Sequence, residues 1–310
     1  MPIHWFPGHM HKAGKEIKEN LSKVDLVIEI LDARIPYSSQ NPLLASFLGE
    51  KPCIKVLNKS DLADSELTRR WQTFLEQEHG VKTLTLSTQH LQNYGQLMDL
   101  GKKLLPEKAA HGKTSYTLIM GIPNVGKSTI INQLAGKIIA KTGNEPAITR
   151  AQQHIKLPNG MILLDTPGML WPKIDNENSS YRLAATGAIK DSAINHDDVA
   201  FFTAEYLLSA YPQLLLQRYE LDPLPHNALE LIEAIGRKRG CLRSGKQVVL
   251  EKAARILLTE FRAGTLGQIT LETPQMMLKE EQQTAQKIKV LTAEREEKKQ
   301  ARRQRARRNR

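Results

Sequence analysis

Gly121-Ile122-Pro123-Asn124-Val125-Gly126-Lys127-Ser128 governs the reading of every other stretch of this chain. Its spacing, G-x-x-x-x-G-K-[ST], makes a phosphate-cradling loop when it joins a strand to a helix. Both flanks fit: Tyr116 to Met120 predicts a short buried strand, and Thr129 to Ala135 predicts the first turns of a helix. The two glycines let backbone N–H groups turn inward around a polyphosphate at the positive end of that helix. Asn124, Val125, Gly126 and Thr129 belong to this cradle. Lys127 can reach the β- and γ-phosphates, and the Ser128 hydroxyl can ligate Mg²⁺. The plainer alternative is a glycine-rich turn bearing a surface lysine.

A phosphate loop alone indicates a nucleoside triphosphate and nothing finer. Ile162-Leu163-Leu164-Asp165-Thr166-Pro167-Gly168 is an apolar run ending in an acid and a glycine. In such an element the Asp165 carboxylate holds Mg²⁺, usually through water, and the Gly168 N–H meets the γ-phosphate. Upstream, Cys53 to Leu57 predicts a strand that runs into Asn58-Lys59-Ser60-Asp61. The Asp61 carboxylate can accept from both N1–H and N2–H₂ of guanine. Adenine lacks that donor pair and would leave the acceptors unpaired. Ser87-Thr88, after a strand-like Thr83 to Leu86, supplies a second loop at the base edge. Together the three motifs specify GTP.

Their order is unusual, because the guanine-reading motif precedes the phosphate loop and the D-x-x-G follows it. The order is that of a circularly permuted domain. With Trp5-Phe6-Pro7-Gly8-His9-Met10 and Asp32-Ala33-Arg34-Ile35-Pro36, it resembles the ribosome biogenesis GTPase A family over about residues 1–275. The resemblance implies binding to ribosomal RNA and to the precursor of the large ribosomal subunit. It also implies that Thr149, in the first switch (Lys141 to Arg150), ligates Mg²⁺ and meets the γ-phosphate, in preference to Thr142.

The predicted fold class is α/β. A permuted P-loop GTPase domain over 1–176 has a mostly parallel sheet with helices on both faces, since strands and helices alternate. Its second switch begins at Met169, and Glu107 to Ser115 is the polar linker joining the ends of an unpermuted domain. Residues 177–275 then read as helices alone, a domain for RNA or ribosome binding. The candidates are Tyr181 to Ile194, Asp197 to Ala210, Asn227 to Ile235 and Gln247 to Arg262. Arg182, Lys190, Arg237, Lys238, Arg239 and Arg243 form either a basic face or ordinary solvated charges.

The net charge of +11 is unevenly placed. Residues 279–310 hold twelve basic and five acidic side chains, and Lys298 to Arg310 alone holds eight basic and none acidic. The tail, 276–310, is helical or disordered, and reads as an arm for nucleic acid or as a solubilising extension. No apolar run reaches membrane-spanning length, and no signal peptide stands at the N-terminus. Two cysteines make no disulfide framework. A monomer in the cytoplasm is expected.

Hydrolysis needs charge neutralisation and an oriented water. Lys127, Mg²⁺ and backbone donors provide the first. Met169 stands where a water-orienting glutamine usually follows the D-x-x-G glycine, and a thioether cannot orient water. Two substitutes follow from resemblance. His9 matches a histidine thought to be catalytic, or else packs beside Trp5 and Phe6. Asn124 matches an asparagine that ligates K⁺ in similar GTPases. Unassisted turnover should therefore be slow. The functional expectation is an assembly GTPase stimulated by the ribosomal particle. The alternative is a GTP-gated RNA-binding module in which occupancy, not hydrolysis, is the functional event. A signalling GTPase fits less well, given the basic tail and the lack of a lipidation motif.

Overall fold

Leu26-Val27-Ile28-Glu29-Ile30-Leu31-Asp32 forms strand β1, buried at every position. A strand covered on both faces reads as a continuous apolar run, and such strands belong in the middle of parallel sheets. β2 (Cys53–Asn58) is buried throughout in the same way, and β3 (Val81–Thr85) lies outside it. The other half contains β4 (Tyr116–Gly121), β5 (Gln153–Lys156) and β6 (Ile162–Asp165). The six strands run in the order β3-β2-β1-β4-β6-β5, and only β5 is antiparallel to its neighbour. This computed structural model describes residues 8–43, 48–87, 93–140 and 153–308. The side chains of 9, 11–13, 16, 109 and 300–308 are not among those described.

The strand order fixes where a ligand can sit. From β1 the chain moves outward through β2 and β3, then returns to β4 and moves outward the other way through β6 to β5. The switch point lies between β1 and β4, and open α/β sheets bind ligands beyond the carboxyl ends of the strands there. The strand bearing the phosphate loop is fourth in sequence yet lies inside the sheet, flanked by β1 and β6. That is the predicted permuted α/β fold.

Helices follow the strands: α1 (Gly8–Asn20), α2 (Ser65–Leu75), α3 (Asn93–Leu104), α4 (Pro106–Ala110) and α5 (Lys127–Ala135). Asp64 caps α2, accepting from the N–H groups of Glu66 and Leu67, and Trp71 and Leu75 turn inward. The expected polar linker is partly helical, because Pro106 with its fixed φ starts the single turn of α4.

After β6 come α6 (Glu177–Ala185), α7 (His196–Ala210), α8 (Pro212–Tyr219), α9 (Ala228–Lys238) and α10 (Leu250–Ala263). Asparagines at 176, 195 and 227 cap α6, α7 and α9 with side-chain oxygens. α7 packs against α6, α8, α9 and α10. Val199, Leu207, Leu231, Ile235, Leu257 and Phe261 are buried in these helices. The returning segment donates from Ile269 N to Leu62 O and from Leu271 N to Arg34 O. Residues 1–272 form one compact unit and 273–310 a second. The second is chiefly α11 (Pro274–Arg308), about 52 Å long at 1.5 Å per residue.

Arg182 does not belong to a basic face. It is 1% exposed, donates from Nε to Leu271 O and faces Glu272 at 3.6 Å. Arg237 and Arg239 are ion-paired with Glu233 and Glu260. Among the described residues no helix is long and apolar enough to cross a membrane.

Candidate functional site

Three loops leave the carboxyl edge of the sheet side by side. The register sets Asp32 opposite Asn58, Ile30 opposite Gly121, and Ile119 opposite Asp165. The guanine-type motif, the phosphate loop and the D-x-x-G therefore start from one line.

In the phosphate loop, Asn124 and Gly126 both adopt positive φ, at 58° and 96°. Gly126 stands at the N-cap of α5, and a Cβ there would lie 2.3 Å from Asn58 Nδ2, so at this positive φ only glycine fits. Gly168 meets the same loop from the other side: its Cβ would lie 3.1 Å from Pro123 Cα. Met169 N donates to Gly121 O at 3.1 Å. The D-x-x-G is thus pinned to the loop it would serve.

The guanine-type motif buttresses the same loop. Asn58 Nδ2 donates to Val125 O at 2.7 Å, and Lys59 Nζ donates to Asn124 O at 2.6 Å. Ser60 bonds Leu86 O through both N and Oγ, which holds the buried Ser87 beside it. The Asp61 backbone carbonyl accepts from Gln268 Nε2 at 3.2 Å, leaving the carboxylate uncommitted to that contact. Asn58 Oδ1 is buried and has no hydrogen-bond partner among the described residues. Thr88 lies outside the described residues.

At the phosphate end, Lys127 Nζ bonds Asp165 Oδ1 in a close ion pair. Burial pushes the Asp165 carboxyl above its ordinary range, against the opposing charge of Lys127. Its second oxygen, Oδ2, is buried without a partner. Ser128 lies next to Lys127 on the first turn of α5, half-buried, and Thr129 follows. A lone carboxylate and a hydroxyl are hard oxygen donors, and Mg²⁺ is commonly held by one or two such groups plus substrate phosphates. The unpartnered Asp165 oxygen fits that ion. Among the described residues no group of three or more His, Cys, Asp or Glu gathers as an all-protein metal cage. Thr149 and the His9 side chain lie outside the described residues. Asn124 Nδ2 donates to Gly187 O at 2.8 Å, so its nitrogen is engaged toward the helical segment.

Met169 is 3% exposed, its sulfur 3.7 Å from the Cβ position of Gly14 on α1. It contributes packing between the N-terminal helix and the second switch. Asn41 joins the same place, its Nδ2 donating to Met169 O at 3.4 Å and its N donating to Glu29 Oε1 at 2.9 Å.

Asp32 and Arg34 carry a role that motif reading left unassigned. Both are 1% exposed. Asp32 Oδ1 accepts from Arg34 Nε at 2.9 Å, and Oδ2 accepts from Arg34 Nη2 at 2.8 Å and Lys59 Nζ at 3.0 Å. Burial works against the Asp32 charge, but Arg34 and Lys59 together hold the carboxyl well below the usual carboxylate range. The signal in the sequence was an acid and a base at the end of a strand that is apolar apart from Glu29.

With this geometry in view, the comparisons are specific. Residues 116–231, beginning at β4, match the family described as a 50S ribosome-binding GTPase. The ribosome biogenesis GTPase A of Bacillus pumilus (strain SAFR-032) is 46% identical over 282 residues, 89% of this chain and 100% of that protein. The GDP-bound structure of TM YlqF superposes with a TM-score of 0.61 at 28% identity, covering 84% of this chain and 99% of that one. GNP-bound YlqF from T. maritima gives 0.59 at 28% identity, covering 85% and 98%. Identity of 46% across 89% of this chain and the whole of that relative, with the matching GTPase family, leads to one conclusion: the chain is a GTPase and belongs to the ribosome biogenesis GTPase A family.

Proposed function

We propose that this GTPase binds the maturing large ribosomal subunit, is stimulated by that particle, and leaves it after hydrolysis. The observation that carries the reading is the convergence of three loops on one edge, where Asp165 keeps a buried oxygen without a partner. The ribosomal partner rests on what the related proteins are named for and on the basic residues of 298–310.

Guanine lies against Asp61, Asn58, Lys59 and the Ser87-Thr88 loop, and the phosphates lie along Asn124 to Thr129 and Gly168. Lys127 exchanges its bond to Asp165 for one to the β- and γ-phosphates, adding a fixed positive charge where the leaving oxygen develops negative charge. Mg²⁺, when bound, neutralises phosphate charge from Ser128, Asp165 and Thr149. The buried Met169 offers no amide to the attacking water, so unassisted turnover stays on the order of 10⁻⁴ to 10⁻² s⁻¹. The ribosomal particle raises it by acting on the switches and the His9 segment. α1, which carries His9, packs over Met169 through Gly14, which supports that role.

The test is GTP hydrolysis measured with and without precursor large subunits. Stimulation of about 10³-fold or more is expected, reduced in His9→Ala by roughly 10²-fold with GTP binding intact. An unstimulated rate would contradict the partner, and equal stimulated rates would leave His9 a packing residue. Deleting residues 298–310 should lower the log–log salt slope of particle binding by about three, if half of its charges meet phosphates.

A further inference from the structure

The nucleotide loops and the helical segment are joined by a closed circuit of polar contacts. It starts at Asn124, whose carbonyl accepts from Lys59 Nζ at 2.6 Å. The same ammonium donates to Asp32 Oδ2 at 3.0 Å, and Asp32 grips Arg34 with both oxygens. Arg34 Nη1 then reaches Arg262 O, at the end of α10, at 3.3 Å, while its guanidinium lies 5.2 Å from the centre of the Phe261 ring. The Arg262 side chain turns back onto the end of α6, donating from Nε to Ala185 O and from Nη2 to Ala184 O, each at 2.9 Å. Two residues beyond Ala185, Gly187 O accepts from Asn124 Nδ2 at 2.8 Å, and the circuit closes where it began.

Two features separate this arrangement from ordinary packing. Asn124 stands at both ends of the circuit, its backbone held by the guanine-type loop and its side chain by the helical segment. The circuit also buries one carboxylate between two cations, an arrangement stable only while every hydrogen bond is made. Arg34 presents a planar fork that a lysine could not replace, satisfying Asp32 with two of its nitrogens and Arg262 O with the third.

We propose that Asp32, Arg34 and Arg262 are positioning residues for nucleotide binding, setting the distance between the guanine loop and the phosphate loop through Lys59 and Asn124. The proposal rests on reading this edge as the guanine-nucleotide site. None of the three touches nucleotide in this account. Docking of α6 and α10 therefore enters the affinity for GTP and GDP. By linkage, a partner that displaces those helices changes nucleotide affinity by the factor with which nucleotide changes partner affinity.

The test uses the full chain, fluorescent GDP and a fluorescent non-hydrolysable GTP analogue. Arg262→Met removes the donors to Ala184 and Ala185 and, with them, the exposed ion pair of Arg262 Nη1 with Asp191 at 3.1 Å. Losing charge-assisted bonds in the circuit should raise the Kd of both nucleotides about tenfold. KM for GTP should rise in step, with kcat at saturating GTP within about twofold. Combined with Arg34→Met, the effects should be far from additive, because either change opens the same circuit. Should Arg34→Met fail to fold, the cycle is run with Arg262→Met and Asn124→Ala. A lowered melting temperature with unchanged Kd, or additive effects on Kd, overturns the proposal. Failure of the unmodified chain to bind GDP would instead overturn the site reading itself.

Discussion

Asp32 and Asp165 end strands on either side of β4, both are buried, and they are kept in opposite conditions. Asp32 has every oxygen engaged, by Arg34 and Lys59, and its carboxyl is held well below the ordinary range. Asp165 has one oxygen on Lys127 and one on nothing, and burial pushes its carboxyl up. The carboxylate beside Asn58 and Lys59 is thus satisfied from within the protein, whereas the one beside the phosphate loop keeps an oxygen open to a ligand. A switch needs that division. The part that recognises the base should not change between GTP and GDP, and the part that senses the γ-phosphate must.

The sharpest way to break this contrast is at Asp61. If the guanine half is assembled in advance, Asp61→Asn should keep the fold and exchange preference from GTP to xanthosine triphosphate. Sites built to hydrogen-bond one group reject its absence by about 10⁴-fold. Competition binding with both nucleotides checks it, and retained GTP preference removes Asp61 from the site.

Lys127→Ala probes the other half. Triphosphate binding and hydrolysis should fall together, with kcat/KM down on the order of 10³-fold, because one fixed charge is lost at the phosphates and Asp165 loses its partner. Normal hydrolysis would refute the phosphate-loop assignment.

A smaller effect tests the place where the halves meet. Glu29, on β1, anchors Asn41 and through it the second switch. Burial raises its carboxyl from 4.5 to about 7, with Lys55 and the Asn41 N–H opposing and Glu78 adding to the rise. The folded protein therefore binds this proton more tightly than the unfolded chain does, and stability falls as pH rises from 4.5 towards 7. Glu29→Gln keeps an acceptor for Asn41 and removes the proton. It should stabilise the fold at pH 8, by on the order of 3 kcal/mol, and do little at pH 4.5. Denaturant unfolding at the two values checks it; equal differences at both would place the strain elsewhere.

Much of this architecture was legible in the sequence because the motifs and the strand pattern agree. Tyr116 to Gly121 is an apolar run ending in the glycine of the phosphate loop, so strand, turn and helix were fixed together. The alternation of strands and helices implied the α/β fold class, and the mostly parallel sheet agrees with it. Less was legible in the helical segment. The expected helix start is Tyr181, yet Asn176 caps that helix and draws it back to Glu177. Pro212–Tyr219 was missed because Tyr211 ends one helix and Pro212 starts the next without a loop. Arg182 reads as a surface charge in any window, since its partner Glu272 lies ninety residues away and only the fold brings them together. The Asp32–Arg34–Arg262 connection was hidden for the same reason, as spacing cannot show that α10 ends over β1.

The proposed function requires the phosphate loop and D-x-x-G to report nucleotide state to a ribosomal partner. Co-sedimentation of the full chain with precursor large subunits, in a non-hydrolysable GTP analogue and separately in GDP, tests that most directly. Binding with the analogue and release with GDP is the predicted result. Equal binding in both nucleotides would contradict it.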